Sequence, residues 1–337
     1  MEGWRNCLIR GRLVEVYPRE EMMSSRSKAK TWPYPRHRHF RGKVQRAAVE
    51  WFSDQGHAVL PSKPYILADR DDWPHNIILP EVAAYIRKIQ TERAKRGKGF
   101  ALHRSIHNGL SSQALLFNLI GPLIVRNDLG ILESTLNRQR INWPPGPTTV
   151  ELEYEDRAVF NEDYGQPTSI DLVLLNDKKE PWLFVECKFV ETGFGGCSVY
   201  GAGDCDGRNP ATDFSLCYLH HIGRRYWILM EKHGFLQEPI IQQGTCILSR
   251  HYQFFRCVVF AAEFGKPFLL LSDQRSPTYD CSGPHGRRGL LPLLLSLVPH
   301  GLRSSVLDIS IQQVVSAIKN SGRHSWVAEF ESKYGLS

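Results

Sequence analysis

Three ionisable residues interrupt two otherwise apolar segments in the middle of the chain. Asp171 lies within SIDLVL, and Glu186 and Lys188 lie within WLFVECKF. Side chains alternate between the two faces of a strand, so Glu186 and Lys188 share one face and lie roughly 7 Å apart along it. Burying such ions costs several kcal/mol each unless they are paired or bind a metal. The polar turn at 176–181 predicts an antiparallel hairpin that brings Asp171 across from Glu186.

This set of groups suits the hydrolysis of a phosphodiester. Two carboxylates can hold a hard divalent cation, Mg²⁺ with Mn²⁺ as a substitute. The cation polarises a phosphoryl oxygen and lowers the pKa of a bound water. A neighbouring lysine orients that water and offsets the developing negative charge. On pattern alone, a Glu-x-Lys pair on a half-exposed strand is also typical of a surface ion pair, so both interpretations stay open.

The order of the segments resembles a known family of enzymes. Asp171, followed after a short turn by Glu186-Cys187-Lys188 on an apolar strand, resembles the D…(D/E)xK motif of the PD-(D/E)XK nuclease superfamily. Further segments resemble a restriction-endonuclease-like branch of bacterial proteins, in the order SSQALLFNLIGPL, CYLHHIGRRYW, HYQFFR and LLLSDQRSP. The similarity spans about residues 40–275.

The resemblance implies a fold and a set of roles. The fold is α/β, with a restriction-endonuclease-like core whose central mixed β-sheet is flanked by helices. Asp171 and Glu186 would be metal ligands together with the Cys187 carbonyl, and Lys188 the catalytic lysine. Gln253 resembles a late-helix glutamine that some members keep near the site, although it also fits the outer face of an ordinary amphipathic helix.

One departure from the family pattern concerns the helix before the sheet. Many members carry a glutamate there, whereas this helix offers Gln113 and no acid. We expect Gln113 to contact water or phosphate, the alternative being a polar position in the capping turn beside Ser111. Glu133 or Glu50, from other helices, could supply the missing acid, and the number of metal ions stays open.

Composition favours a polyanionic partner. The 337 residues include 42 Lys and Arg against 35 Asp and Glu, which gives a net charge of +7 and a pI near 9.0. We therefore expect a Mg²⁺-dependent endonuclease acting on double-stranded DNA in restriction, defence or repair. The alternative is a catalytically silent nucleic-acid-binding or scaffold protein, and an RNase would share the same site. Cutting both strands commonly calls for two active sites, which favours a homodimer.

Three parts of the chain differ in character. Residues 1–40 read as a basic, flexible segment, 41–285 as the nuclease-like domain, and 286–337 as a helical extension packed on it. Residues 213–233 and 249–263 are expected to form helices. The sequence shows neither a secretory leader nor an apolar span of about 20 residues, so we expect a cytoplasmic protein without a membrane segment.

The cysteine pattern predicts no structural metal. The eight cysteines include no CxxC pair. Cys197, Cys205 and Cys217 lie in a Gly-rich stretch, but their spacing matches no common zinc motif. Reduced thiols are therefore the expectation.

Overall fold

A five-stranded mixed sheet lies at the centre of the computed structural model, which describes residues 8–9, 12–13, 35–163, 165–283 and 286–336. The strands in chain order are β1 (Leu8–Ile9), β2 (Arg12–Leu13), β3 (Val59–Leu60), β4 (Lys63–Leu67), β5 (Thr149–Glu155), β6 (Ser169–Leu175), β7 (Pro181–Lys188), β8 (Phe268–Ser272), β9 (Cys281–Gly283), β10 (Gly286–Arg288) and β11 (Val306–Ser310). The α-helices are α1 (Pro35–Asp54), α2 (Pro80–Lys95), α3 (Ser112–Val125), α4 (Glu133–Arg138), α5 (Arg157–Phe160), α6 (Ser198–Ala202), α7 (Tyr218–His221), α8 (Tyr226–Lys232), α9 (Glu238–Ile241), α10 (Leu248–Glu263), α11 (Leu290–Ser296), α12 (His300–Arg303), α13 (Ile311–Asn320) and α14 (Val327–Lys333).

The central sheet has the strand order β11-β8-β7-β6-β5. Strands β5, β6 and β7 form an antiparallel meander, whereas β8 and β11 run parallel to β7 and to each other. The turn between β6 and β7 is closed by the Asn176 side chain, whose oxygen accepts the N–H groups of Lys178 and Glu180. The predicted hairpin and the predicted α/β architecture, a mixed sheet flanked by helices, are both confirmed.

Helices cover both faces of this sheet. Helices α1, α2, α3, α13 and α14 bury their apolar side chains against one face, to which Leu183 and Val185 contribute. Helices α8, α10 and α11 pack on the other face, to which Phe184 contributes. The alternation along β7 therefore serves two separate cores, as expected for a strand that is buried on both sides.

Helix α3 is the most deeply buried of the described helices. The Ser111 hydroxyl accepts the Ala114 N–H at its start, and all residues from 113 to 123 are buried. At Gly121 a Cβ atom would lie 2.5 Å from a methyl group of Val82, so glycine allows α2 to cross closely. The buried helix predicted from the sequence is confirmed, and its first turn reaches the edge of the sheet at β5.

Several elements differ from the expectations. Residues 213–233 do not form one helix, because Gly223 adopts a φ of +85° between α7 and α8. The segment 286–337 is not purely helical, since it contributes β11 to the central sheet. Helix α1 begins at Pro35 and crosses the expected boundary at residue 40, and most of the basic segment before it lies outside the described residues. None of the helices in the described ranges has the length and apolar character that a membrane crossing needs.

Candidate active site

Three carboxylates lie in one row across three neighbouring strands. The pairing of β6 with β7 ends at Leu172 and Val185, so Asp171 and Glu186 are the next residues opposite each other. The register of β5 with β6 places Glu153 across from Asp171 in the same way. Because neighbouring strands are about 4.8 Å apart, the carboxylates of this row are close neighbours.

The Asp171 side chain interrupts the ladder between β6 and β7. Its Oδ2 accepts the backbone N–H of Cys187 at 2.8 Å. Burial raises the pKa of Asp171 well above its ordinary value, and the negative charges of Glu186 and Glu153 raise it further. In this environment the protonated, neutral form of Asp171 is therefore favoured over the carboxylate.

Lys188 and Gln253 hold Glu186 in a closed triangle. The Lys188 Nζ donates to Glu186 Oε1 at 2.8 Å and to Gln253 Oε1 at 2.7 Å. The Gln253 Nε2 donates to the same Glu186 oxygen at 2.6 Å. Glu186 is 1% exposed and Lys188 is 6% exposed, so the ion pair is almost fully withdrawn from water.

The charge of Lys188 depends on its neighbours. Burial by itself lowers the pKa of Lys188, but the carboxylates of Glu186, Glu191 and Asp171 outweigh this effect and raise that pKa above its ordinary value. The lysine is therefore protonated at neutral pH. It is the cation that lies among the carboxylates of the row.

The start of α10 is shaped so that Gln253 reaches this triangle. His251 leaves the helical conformation, with φ −130° and ψ 31°. The N–H groups of Tyr252 and Gln253 then donate to the carbonyls of Gly195 and Phe194 rather than continuing the helix ladder. The first turn of α10 is in this way fixed to the loop that follows β7.

Glu153 is the functional candidate that sequence reasoning missed. It is buried, and its carboxylate accepts hydrogen bonds from Gln113 Nε2 at 2.6 Å and from Ser169 Oγ at 2.7 Å. Burial raises the pKa of Glu153 to about 7, and the charge of Glu186 adds to this effect. A third carboxylate therefore occupies the site, supplied by a strand rather than by a helix.

The backbone at Glu153 explains its position. Its φ of +50° lies in the left-handed region, which is rare for a non-glycine residue inside a strand. Leu152 packs in the core on the α3 side, whereas Tyr154 packs on the α10 side, so the normal alternation is broken at this residue. The guanidinium of Arg93 on α2 donates to the carbonyls of Leu152 at 2.6 Å and Glu153 at 2.8 Å. Such strain persists where surrounding contacts enforce it, and it is frequent at functional sites.

Gln113 lies beside Glu153, and its hydrogen bonds within the described part of the chain do not include Glu186, Lys188 or Gln253. Its Oε1 accepts the His103 N–H at 2.8 Å, and its Nε2 donates to the Ala101 carbonyl as well as to Glu153. These partners use the hydrogen-bonding capacity of the amide within the protein. A contact of Gln113 with water or phosphate stays a prediction, and its observed contact is with the third carboxylate.

The two glutamates considered as substitutes for the missing helix acid lie elsewhere. Glu50 and Glu133 are exposed, and neither is among the groups that shift the pKa of Asp171 or Glu153. The sequence signal for Glu153 was the segment VELEYE. In it Glu151, Glu153 and Glu155 alternate with apolar residues, and only the pairing register shows that Glu153 is the one opposite Asp171.

The donor chemistry of the row fits a hard divalent cation. Mg²⁺ and Mn²⁺ prefer carboxylate, carbonyl and water oxygens. Within the described ranges, Asp171 Oδ1 accepts no hydrogen bond, and Glu186 Oε2 accepts only a weak one from Cys257 Sγ at 3.7 Å. As they stand, no three His, Cys, Asp or Glu side chains of the described residues are arranged to hold a metal ion. Asp171 Oδ1 and Glu186 Oε2 are therefore carboxylate oxygens of the row with free acceptor capacity.

A cleft of about 1080 Å³ opens at the carboxyl ends of β8 and β11. Lys188 is in register with Ser272 of β8, which is in register with Ser310 of β11, and both serines line the cleft. The cleft therefore begins about 5 Å from β7, one strand away. Crevices at the carboxyl ends of parallel strands are common ligand sites in α/β proteins.

One wall of this cleft is the first part of α1. Arg36, His39 and Lys43 line it, all three are exposed, and α1 has no acidic residue in its first turn. The lining also contains Asp280 and Asp308. The α1 wall therefore presents cations to the cleft, whose lining does not include Lys188 or the carboxylates of the row.

Comparison with known proteins adds the family. Comparisons with curated proteins and with solved structures give no significant match. The family model described as "Restriction Endonuclease associating with ARP" matches residues 27–335, which is nearly the whole chain and includes the carboxylate row, Lys188 and Gln253. The chain therefore belongs to the family of restriction endonucleases associating with ARP.

Proposed function

We propose that the chain is a Mg²⁺-dependent endonuclease that hydrolyses phosphodiester bonds of double-stranded DNA. The observation that carries the proposal is the row of Glu153, Asp171 and Glu186, with a charged Lys188 held 2.8 Å from Glu186. A structural ion pair needs two of these four groups. Two further buried carboxylates would only destabilise the fold unless a cation or a reaction used them.

The carboxylates of Asp171 and Glu186 and the carbonyl of Cys187 would hold Mg²⁺, and Mn²⁺ could replace it. When bound, the cation supplies charge to the phosphoryl oxygens and lowers the pKa of the attacking water. Lys188 orients that water and stabilises the negative charge that develops on the phosphate. Lys188 keeps its proton at neutral pH, because the surrounding carboxylates raise the pKa of its ammonium group.

Gln253 and Glu153 complete the site in this proposal. Gln253 contacts both Lys188 and Glu186, so it fixes the lysine nitrogen relative to the Glu186 carboxylate. Glu153 takes the place of the acid that relatives carry on the preceding helix, and Gln113 and Ser169 orient it. A site with one cation would use Glu153 to hold a water, and a site with two would use it as a ligand.

The α1 wall of the cleft supports a nucleic-acid substrate. Arg36 and Lys43 lie on one exposed helix face, where they can meet successive backbone phosphates. The net charge of +7 acts in the same direction at longer range. Cutting of both strands of a duplex would use two copies of the chain, each with one such site.

Cleavage assays test this proposal. Single-stranded, double-stranded and methylated DNA and RNA are incubated with the protein and Mg²⁺, and we expect metal-dependent cleavage of duplex DNA. Asp171→Ala should abolish it, whereas Lys178→Ala, at the exposed turn at the other end of β7, should not. Salt-sensitive DNA binding without cleavage in Mg²⁺ or Mn²⁺ would reject the nuclease proposal and favour a catalytically silent DNA-binding protein with the same fold.

A further inference from the structure

Four free cysteines that are well separated along the irregular segment between β7 and α10 lie close together in space. Cys197, Cys205, Cys217 and Cys246 line one cavity of about 20 Å³, together with apolar side chains such as Leu248. A volume of about 10–15 Å³ is enough for one atom of the size of water. We call these residues the four-cysteine cluster.

The backbone around the cluster is tied together at several points. The Cys197 N–H donates to the Leu248 carbonyl at 3.1 Å, and the Cys246 N–H donates to the Gly207 carbonyl at 2.8 Å. At Gly196 a Cβ atom would lie 2.4 Å from the Ser249 carbonyl, so only glycine permits this approach of the two segments. The cysteines are therefore held near one another by main-chain contacts rather than by chance side-chain positions.

Backbone N–H groups lie near three of the four sulfurs, those of Cys205, Cys217 and Cys246. The Gly207 N–H donates to Cys205 Sγ at 3.4 Å. Burial raises the pKa of Cys217 and Cys246, and nearby backbone N–H groups, those of Leu219 and His220 for Cys217 and those of Leu248 and Ser249 for Cys246, lower it in part. Hydrogen bonds from backbone N–H groups stabilise the charged form of an acceptor. Three of the four sulfurs therefore have a backbone N–H group nearby that would stabilise a thiolate once a cation binds.

We propose that the four-cysteine cluster binds one Zn²⁺ ion as a closed, tetrahedral structural site. Four thiolates are a common ligand set of structural zinc, and Zn²⁺ is a borderline-soft cation that accepts them. Each thiol releases its proton to solvent when its sulfur binds the ion. The site differs in chemistry from the carboxylate row, whose oxygen donors favour Mg²⁺.

The side chains must turn toward the ion for this to occur. No three His, Cys, Asp or Glu side chains of the described residues are arranged to hold a metal as they stand. Burial raises the pKa of the Cys217 thiol and raises that of Cys246 to about 12, so without an ion both sulfurs keep their protons. Neutral thiols do not attract one another toward a common centre, whereas a bound cation draws four thiolates together.

The spacing explains why the sequence did not predict this site. Successive members of the cluster are 8, 12 and 29 positions apart, unlike the paired CxxC of common zinc motifs. The segment they belong to contains only short helices, α6 to α9, so a cross-link by metal would compensate for its sparse secondary structure. Its first residues, Phe194 and Gly195, accept the N–H groups at the start of α10. The zinc would therefore stabilise the part of the chain that presents Gln253.

Metal analysis of the full chain tests the proposal independently of any nuclease activity. Protein purified without chelator should contain about one zinc ion per chain. Replacing the zinc with Co²⁺ should give thiolate-to-cobalt charge-transfer absorbance and the visible bands of a tetrahedral site. Since losing only an outer-shell partner costs about 10–100-fold in metal affinity, Cys217→Ser with Cys246→Ser should weaken Zn²⁺ binding by more than about 100-fold.

Cys187→Ala is the matched control, because it removes a buried thiol on β7 that does not line the cavity. It should retain both the zinc and the cobalt spectrum. Equal zinc content in the double variant and the control would overturn the proposal. If the double variant does not fold, the unaltered chain decides: Co²⁺ titration without a thiolate charge-transfer band would also overturn it.

Discussion

Replacing Glu153 with glutamine measures the cost of keeping a third carboxylate in the site. The substitution removes the charge and conserves the shape. The new amide can still accept from Gln113 Nε2 and can donate to Ser169 Oγ, so both contacts are kept, with the direction of the hydrogen bond to Ser169 reversed. The effect on stability therefore isolates the ionisation of Glu153.

The size of the effect follows from the pKa of Glu153. Burial raises it from 4.5 to about 7, and at 1.36 kcal/mol per pH unit this corresponds to about 3 kcal/mol. The unfolded chain ionises near pH 4.5 and the folded chain only near pH 7. The native state thus loses stability as the pH rises through this window and bears the full cost above pH 7. Glu153→Gln should therefore raise the free energy of unfolding by about 2–3 kcal/mol at pH 8 and change it little at pH 4.5.

Urea unfolding in the presence of EDTA provides the assay, with curves recorded from pH 4.5 to pH 8. Glu151→Gln is the matched control on the same strand, because the Glu151 side chain is 40% exposed and pairs with Arg93. That control should change stability by less than about 1 kcal/mol. An identical pH dependence of stability in Glu153→Gln and the unaltered protein would refute the assignment of a buried, ionisable carboxylate. Mg²⁺ should stabilise the unaltered protein more than the variant, since ligand binding to the native state raises its stability.

Three further predictions concern the other parts of the site. Gln253→Ala should leave Glu186 and Lys188 without a shared partner and lower the free energy of unfolding, measured in urea, by about 1–3 kcal/mol. It should also slow cleavage under saturating Mg²⁺ by about 10–100-fold. An unchanged cleavage rate would exclude a positioning role for Gln253. Arg36→Glu with Lys43→Glu should weaken duplex binding and reduce the slope of log K against log salt by about 2. An equal reduction on charge reversal at both Lys178 and Lys179, which are exposed, would show that only net charge matters. Chelation with EDTA should abolish cleavage and excess Mg²⁺ or Mn²⁺ should restore it, whereas activity that survives chelation would exclude the metal-dependent chemistry.

Local patterns in the sequence were sufficient for the central elements. The hairpin of β6 and β7 follows from two apolar runs around a polar turn, and α3 from an apolar run behind a capping serine. These are properties of consecutive residues, so they can be predicted without knowing what lies opposite. The same hairpin places Asp171 opposite Glu186 on the neighbouring strand.

The features that escaped prediction depend on long-range contacts. Glu153 occupies the site because Arg93, 60 residues earlier, fixes the carbonyls around a left-handed residue. Strand β11 is short and is specified by its parallel pairing with β8 rather than by its own five residues. The gathering of Cys197 and Cys246 requires the loop after β7 to return to the start of α10. No local periodicity encodes these approaches, whereas the structure provides them directly.

The measurement that tests the central claim most directly is the single-turnover cleavage rate of a DNA duplex by Lys188→Ala under saturating Mg²⁺. The site geometry predicts a rate lower by about 10²–10³-fold, since the lysine stabilises charge that develops only during the reaction. Mn²⁺ binding, followed by calorimetry, should persist because Asp171 and Glu186 remain. A Lys188→Ala protein that cleaves the duplex at the unaltered rate would contradict the account.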